Sequence, residues 1–359
     1  MKKIEGERER EFIEVIKNET RRFSDKNEFI DFASHIDDLN KYEFVTFEDM
    51  KFNKDGTFDV KKNGKTKSYK FTESGLNTLL KTFGMPVDFY MNKAPSDMLI
   101  RDLNRMKATY SSDSEVRVCF KEDTIKGVMR PTISVVKNKS IASSLLNSPF
   151  EFKFADMDDY GMRITNAGSS LAPDIKVQKG DIVSCGVDAT YSDIANTKTA
   201  LTPFLMRLVC TNGMVLQDKN NSYLPHSVFM PLAYKQSKKV YLQNYQDAIK
   251  EIIIDTSYVS KALKAMREHP ISDIEKGEPL AKKIRNSLTP KIFDEIDGLI
   301  VKVMNQDTNR ESREINTDYL LYDFLDKATR LARDQVQMRR RLTESYAGLL
   351  ISESGKAFA

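Results

Sequence analysis

The sequence predicts an α+β fold, a mixed β-sheet core with packed helices and a helical C-terminal region. Three observations carry it. Between about residues 42 and 235, short runs alternate apolar and polar residues with period two and are cut by turns such as Asp55-Gly56 and Asn63-Gly64. Helical periodicity interrupts these runs, and from about 236 onward it takes over almost completely. The chain has 359 residues, 40% apolar and 30% charged, enough to bury a sizeable core. At roughly 150 residues per domain, that length fits about two domains. The shifts in pattern divide the chain into a charged helical arm over 1–41, an α+β core over 42–235 and a helical domain over 236–359.

Element by element, Phe12, Ile13 and Ile16 stand at helical spacing, and Phe29, Ile30, Phe32, Ala33 and Ile36 give a second helix over 26–39. Residues 42–47 alternate like a strand. Thr57 to Lys62 and Lys65 to Phe71 form a hairpin around Asn63-Gly64, because both central positions of such a turn need positive φ. That register sets Lys62 opposite Lys65, Val60 opposite Lys67 and Phe58 opposite Tyr69. Thr72 caps a helix whose buried stripe is Leu76, Leu79, Leu80 and Phe83, and Gly84 and Pro86 end it. Helices follow over 87–91 and 96–106, the second capped by Ser96. Strands are expected over 115–120, over 126–136 with a break near Pro131, and over 150–154, with a short helix at 141–146. An acidic turn at 158–161 leads to strands over 162–164 and 181–191, and 204–210 reads as a strand or short helix. The helical third comprises a long periodic segment over 240–266 and helices over 291–305 and 317–345.

Several function classes are excluded or disfavoured. No apolar run approaches the ~18 residues of a membrane span, and the charged first residues predict no signal peptide. Cys119, Cys185 and Cys210 are odd in number, far apart and form no CxxC pair, which fits a reducing cytoplasm better than a disulfide framework or a zinc site. The expected location is the cytoplasm, with no membrane partner. HExxH, GxSxG, Walker A and GxGxxG motifs are missing, so no cofactor and no catalytic residue is expected. The three histidines, His35, His226 and His269, are isolated in sequence. Asp156, Asp158, Asp159 and Asp181 are carboxylates of the kind a metal-dependent nuclease uses, although a plain acidic turn accounts for them better.

Charge is distributed unevenly. The net charge is only +4, yet residues 1–40 carry 8 basic against 11 acidic side chains, and residues 51–70 carry seven lysines against two aspartates. Phe52, Phe58 and Tyr69 in that second segment, and Phe71 just after it, are interleaved with the lysines. Phosphates attract cations and unpaired bases stack on rings, so this mixture points to single-stranded DNA. Lys61, Lys62, Lys65 and Lys67 are the candidate phosphate contacts and Tyr69 the stacking candidate. The same lysines would also keep an exposed hairpin soluble, with the rings turned inward. Arg333, Arg340 and Arg341, in the last helical segment, would extend the basic track, or else form a solvated helix face.

Three stretches resemble the phage and plasmid proteins of domain-of-unknown-function family 932. They are residues 70–90, with the pattern Gly84-Met85-Pro86 and Tyr90; Gly127 to Ser134; and Gly180-Asp181 continuing to Arg207-Leu208-Val209-Cys210-Thr211-Asn212-Gly213. The resemblance covers about residues 42–216. It departs where the family has Arg-Tyr soon after the serine and this chain has Val135-Val136-Lys137. It implies a phage or mobile-element setting, and hence host cytoplasm, but no chemistry. The resulting expectation is a non-enzymatic nucleic-acid-binding protein of a mobile element, one that binds or anneals single strands. The alternatives are a self-assembling structural protein, which fits the expected homo-oligomer, and an inhibitor of a host defence protein.

Overall fold

The structure, a computed structural model, describes residues 15–62, 64–168, 174–178, 181–197, 199–207, 212–215, 228–230, 238–251 and 256–269, together with Tyr322, Leu325, Gly348 and Ile351. In chain order the elements are β1 (Arg21–Phe23), α1 (Lys26–Leu39), β2 (Asn40–Thr46), β3 (Met50–Phe52), β4 (Phe58–Lys62), β5 (Lys65–Phe71), α2 (Glu73–Thr82), α3 (Val87–Asn92), α4 (Ser96–Lys107), β6 (Glu115–Lys121) and β7 (Thr124–Met129). Then come α5 (Asn138–Leu146), β8 (Phe152–Asp158), β9 (Gly161–Ala167), β10 (Ile175–Gln178), β11 (Asp181–Tyr191), β12 (Thr199–Arg207), β13 (Asn212–Val215), β14 (Val228–Met230), α6 (Lys238–Glu251) and α7 (Thr256–Ala265). Two mixed-in-helix sheets result, and the fold is α+β as the sequence predicts.

The first sheet runs β2-β6-β7-β5-β4-β3, with β5 and β7 its parallel pair. Its two outermost strands, β2 and β3, are separated in the chain by only residues 47–49. A sheet whose first and last strands are consecutive must curl back on itself. Two contacts mark the seam: Lys61 donates its backbone N–H to the Asp49 carbonyl at 2.9 Å, and Lys62 Nζ reaches Glu43 Oε2 at 2.7 Å. Taking β2 and β3 as one bent strand gives a five-stranded barrel. Its interior holds Val45, Met50, Phe52, Phe58, Val60, Phe71, Val116, Val118, Phe120, Ile125 and Val128, sealed at the base by Leu76, Leu79 and Leu80 of α2 and Leu99 and Leu103 of α4. Thr72 Oγ1 caps α2 by accepting from Gly75 N at 3.0 Å.

The second sheet runs β1-β8-β9-β11-β12-β13, with β10 added on β11 and β14 on β12. One face carries Met157, Met162, Ile164, Val187, Ala189 and Leu201 and packs against α1, α5 and α6 through Phe29, Ile36, Ile141, Leu145, Tyr241 and Tyr245. The opposite face is buried too, and combines a small apolar cluster of Phe154, Ala167, Phe204 and Met206 with two polar rows. The register aligns Asp156, Arg163 and Thr190 in one cross-strand row and Thr165, Asp188 and Thr202 in the next. Arg163 Nε donates to Asp188 Oδ1 at 2.6 Å with both side chains fully buried. Pro203, which has no N–H to give, falls between the stretch of β12 paired with β14 and the stretch paired with β13.

The two sheets are joined through Asp193, two residues beyond β11. Its carboxylate accepts from Lys126 Nζ at 2.8 and 3.0 Å, Asn40 Nδ2 at 2.8 Å, Tyr42 OH at 2.6 Å and Asn138 Nδ2 at 3.2 Å. Burial alone would raise the Asp193 carboxyl, but the Lys126 charge and the donated hydrogen bonds outweigh it and hold the pKa below the usual carboxylate value. Lys126 is likewise resisted by burial, yet Asp193 keeps it above the ordinary lysine value. Beside this hub Gly127 faces Ile194, whose side-chain carbons would lie 2.6 Å from a Cβ added at that glycine. Only glycine leaves room there for the Ile194 side chain.

Several expectations are corrected. Ile16 is not helical: its N–H donates to Phe71 O and its carbonyl accepts from Glu73 N, so the chain runs extended beside the β5–α2 junction. Phe12 and Ile13 lie outside the described residues. Helix α4 is preceded by Pro95 with no side-chain cap, and Ser96 is its first residue rather than its cap. Strand β7 stops at Met129 instead of continuing to 136, since Pro131 cannot donate to a ladder. Residues 204–207 are strand, within β12, and within 240–266 the described residues 240–251 and 256–265 are helical, in α6 and α7. The helices expected over 291–305 and 317–345 lie outside the described residues, apart from Tyr322 and Leu325.

Candidate nucleic-acid interface

The hairpin forms with the register its Asn-Gly turn predicts: Lys62 pairs with Lys65, Val60 with Lys67 and Phe58 with Tyr69. Gly64 takes φ +74° at the turn. Alternation along the strands therefore assigns faces. Lys62, Lys65 and Lys67 share the face that becomes the barrel interior at Phe58 and Phe71, and Lys61 lies on the outer face beside Asp59 and Thr66. All four lysines are exposed.

Their partners differ. Lys62 pairs with Glu43 across the seam, and Lys67 pairs with Asp123 at 2.8 Å. The hydrogen bond to Asp123 raises the Lys67 pKa above the ordinary lysine value. Lys61 and Lys65 make no ion pair among the described residues. Like charges directly opposite each other weaken a strand pair, so Lys62 facing Lys65 is a local cost that an anion would relieve.

The interleaved rings are placed differently from what a stacking platform requires. Phe52, Phe58 and Phe71 are core residues, at most 3% exposed. Tyr69 is half-buried, its ring 4.6 Å from that of Phe120 and 4.9 Å from Lys67 Nζ. A different ring is exposed near the lysines. Phe44, on β2, is 53% exposed, while its neighbours Val45 and Phe47 turn into the core. The Arg117 guanidinium, contributed by the residue paired with it on β6, lies over the Phe44 ring at 4.6 Å. Arg117 is anchored in turn by a hydrogen bond to the Ile133 carbonyl. Phe44 borders a groove of about 230 Å³ along the seam, lined also by Glu43, Asp49, Lys61 and Lys62. Strand alternation predicts which residues oppose Phe44, but the sequence alone does not say which face of β2 is covered.

The remaining candidates are accounted for separately. Asp156 receives both Nε and Nη2 of Arg22, at 2.7 and 2.8 Å. Asp158 accepts the backbone N–H groups of Tyr160 and Gly161, which fixes the β8–β9 turn. Burial raises the Asp158 pKa against those bonds. Asp159 pairs with Lys121 at 2.8 Å, and Asp181 accepts from Tyr322 OH at 2.5 Å. Each carboxylate thus serves a different partner, and no metal-binding group of three or more His, Cys, Asp or Glu occurs among the described residues. Cys119 and Cys185 are buried free thiols, each pushed up to about 12 by burial, which disfavours the nucleophilic thiolate. Cys210, His226, Arg333, Arg340 and Arg341 lie outside the described residues. Among those described, no helix is long and apolar enough to cross a membrane. Comparison with known proteins finds no matching family model, no matching curated protein and no matching solved structure.

Proposed function

We propose that this chain binds single-stranded nucleic acid, without catalysing a reaction on it, through the β4–β5 hairpin and the barrel seam beside it, in the mobile-element setting that the sequence resemblance implies. The observation that carries this reading is the placement of Lys61, Lys62, Lys65 and Lys67. All four are exposed at the tip of the second and third strands of a closed five-stranded barrel, and Lys62 faces Lys65 directly. The barrel supports the same reading. It closes on a shared first strand, and α2–α4 lie between its third and fourth strands. That order is the one found in the oligonucleotide/oligosaccharide-binding fold, whose second and third strands form the ligand face. Fold alone does not assign a ligand, so the weight rests on the lysines.

The test is a fluorescence anisotropy titration of the full chain with a labelled single-stranded oligonucleotide and with its duplex, across a salt series. Four phosphate contacts to a single strand give a log–log salt slope of about −2.8. Binding to the single strand with a slope of about −2 to −3, weaker on the duplex, is the expected result. No binding at low ionic strength, or binding without a salt slope, would overturn the reading.

A further inference from the structure

We infer that Phe44 is a base-stacking subsite, taking one unpaired nucleobase against its ring while Lys61 and Lys62 hold the phosphates on either side. This rests on the single-strand reading above and extends it to a residue that reading does not use. Phe44 is an aromatic side chain in the middle of a strand, yet more than half of it is exposed, although Val45 beside it is buried in the barrel. Its position is fixed by the β2–β6 pairing, which brings Arg117 over the ring at 4.6 Å. The Ile133 carbonyl holds that guanidinium in turn.

The seam groove supplies the space. It has a volume of about 230 Å³, and Phe44 shares its lining with the two lysines. The groove also contains two acids. Asp49 is occupied by Thr46 Oγ1 at 2.8 Å, and Glu43 by Lys62. The Lys62–Glu43 pair is solvent-exposed and therefore weak, so a phosphate can take Lys62 from it at small cost. A fixed ring next to exposed ammonium groups matches the repeating unit of a single strand, which alternates a planar base with a phosphate. A duplex keeps its bases stacked on one another and presents no free face to the ring. The occupant is thus an unpaired stretch of nucleic acid rather than a helix.

The chain contains no tryptophan, so Phe44→Trp introduces a single indole fluorophore at the subsite. Adding oligothymidylate should quench its emission, saturating at the same concentration as the anisotropy of a labelled strand. Phe44→Leu should weaken single-strand binding by roughly 5- to 160-fold, the range for losing one base–aromatic stack. The salt slope should stay at the wild-type value, because no phosphate contact is removed. Because Phe44 is exposed, both variants should keep the wild-type unfolding midpoint. Unchanged indole emission under saturating anisotropy, or wild-type affinity in Phe44→Leu, would overturn the subsite and leave the binding reading intact. Absence of binding by the wild-type chain would overturn both.

Discussion

Replacing Asp193 with asparagine perturbs the junction of the two sheets at a single point. The substitution is nearly isosteric, so it changes charge and hydrogen bonding rather than volume. Lys126 is fully buried and Asp193 1% exposed at the side chain, and the carboxylate is the salt-bridge partner of that ammonium. Asparagine leaves the Lys126 charge uncompensated, which costs about 3–5 kcal/mol in a buried site. The hydrogen bonds from Asn40, Tyr42 and Asn138 also have to be shared by one amide oxygen and an NH₂ group that cannot accept them. Restoring an apolar pair, with Lys126→Met and Asp193→Leu, should recover only part of the loss. Those three donors would then be buried without an acceptor, at about 1–3 kcal/mol each. The assay is urea unfolding followed by circular dichroism, extrapolated to water. A loss of less than about 1 kcal/mol in Asp193→Asn would refute the claim that this carboxylate carries the buried lysine, since breaking such a pair costs several-fold more.

Two further outcomes concern the same junction. Because the Asp193 pKa is lowered and that of Lys126 raised, the pair stabilises the fold above the unfolded carboxylate pKa and below the unfolded lysine pKa. That contribution disappears as acid protonates Asp193 or alkali deprotonates Lys126. The difference between wild type and Asp193→Asn should therefore be full at pH 7 and shrink as the pH falls below about 4; a difference that stays constant down to pH 3 would contradict it. Gly127→Ala forces a Cβ to within 2.6 Å of Ile194 and should destabilise the chain by about 1–3 kcal/mol in the same urea assay. Shortening Ile194 to alanine in the double variant should return part of that loss, which an effect on backbone propensity alone would not allow.

Local chemistry made part of this molecule legible in its sequence. The hairpin register was readable to the residue because Asn63-Gly64 specifies a two-residue turn, and the turn fixes every pairing behind it. The Thr72 cap and the α2 stripe were readable for the same reason, since their signals lie within four residues of one another. What was not legible depends on distant contacts. Strand β3 is only Met50–Phe52, too short to show a period, yet it is what closes the barrel. The extended backbone at Ile16 is imposed by carbonyl and N–H groups of residues 71 and 73, against a local helical pattern. At the site, the lysines announced themselves through charge. The rings did not, because composition cannot separate Phe52, Phe58 and Phe71, which build the core, from Phe44, which stays exposed. That distinction follows from which face of the curled sheet each ring occupies.

The most direct measurement of the central claim compares the salt dependence of single-strand binding by the wild-type chain with that of Lys61→Gln/Lys62→Gln/Lys65→Gln/Lys67→Gln. All four side chains are exposed, so the variant should fold with near wild-type stability. If these lysines hold phosphates, wild-type affinity should fall roughly 50-fold between 50 and 200 mM salt, and the variant should lose most of that dependence, at about 0.7 of slope per lysine. A variant that retains the wild-type affinity and slope would place the nucleic acid elsewhere and contradict the account.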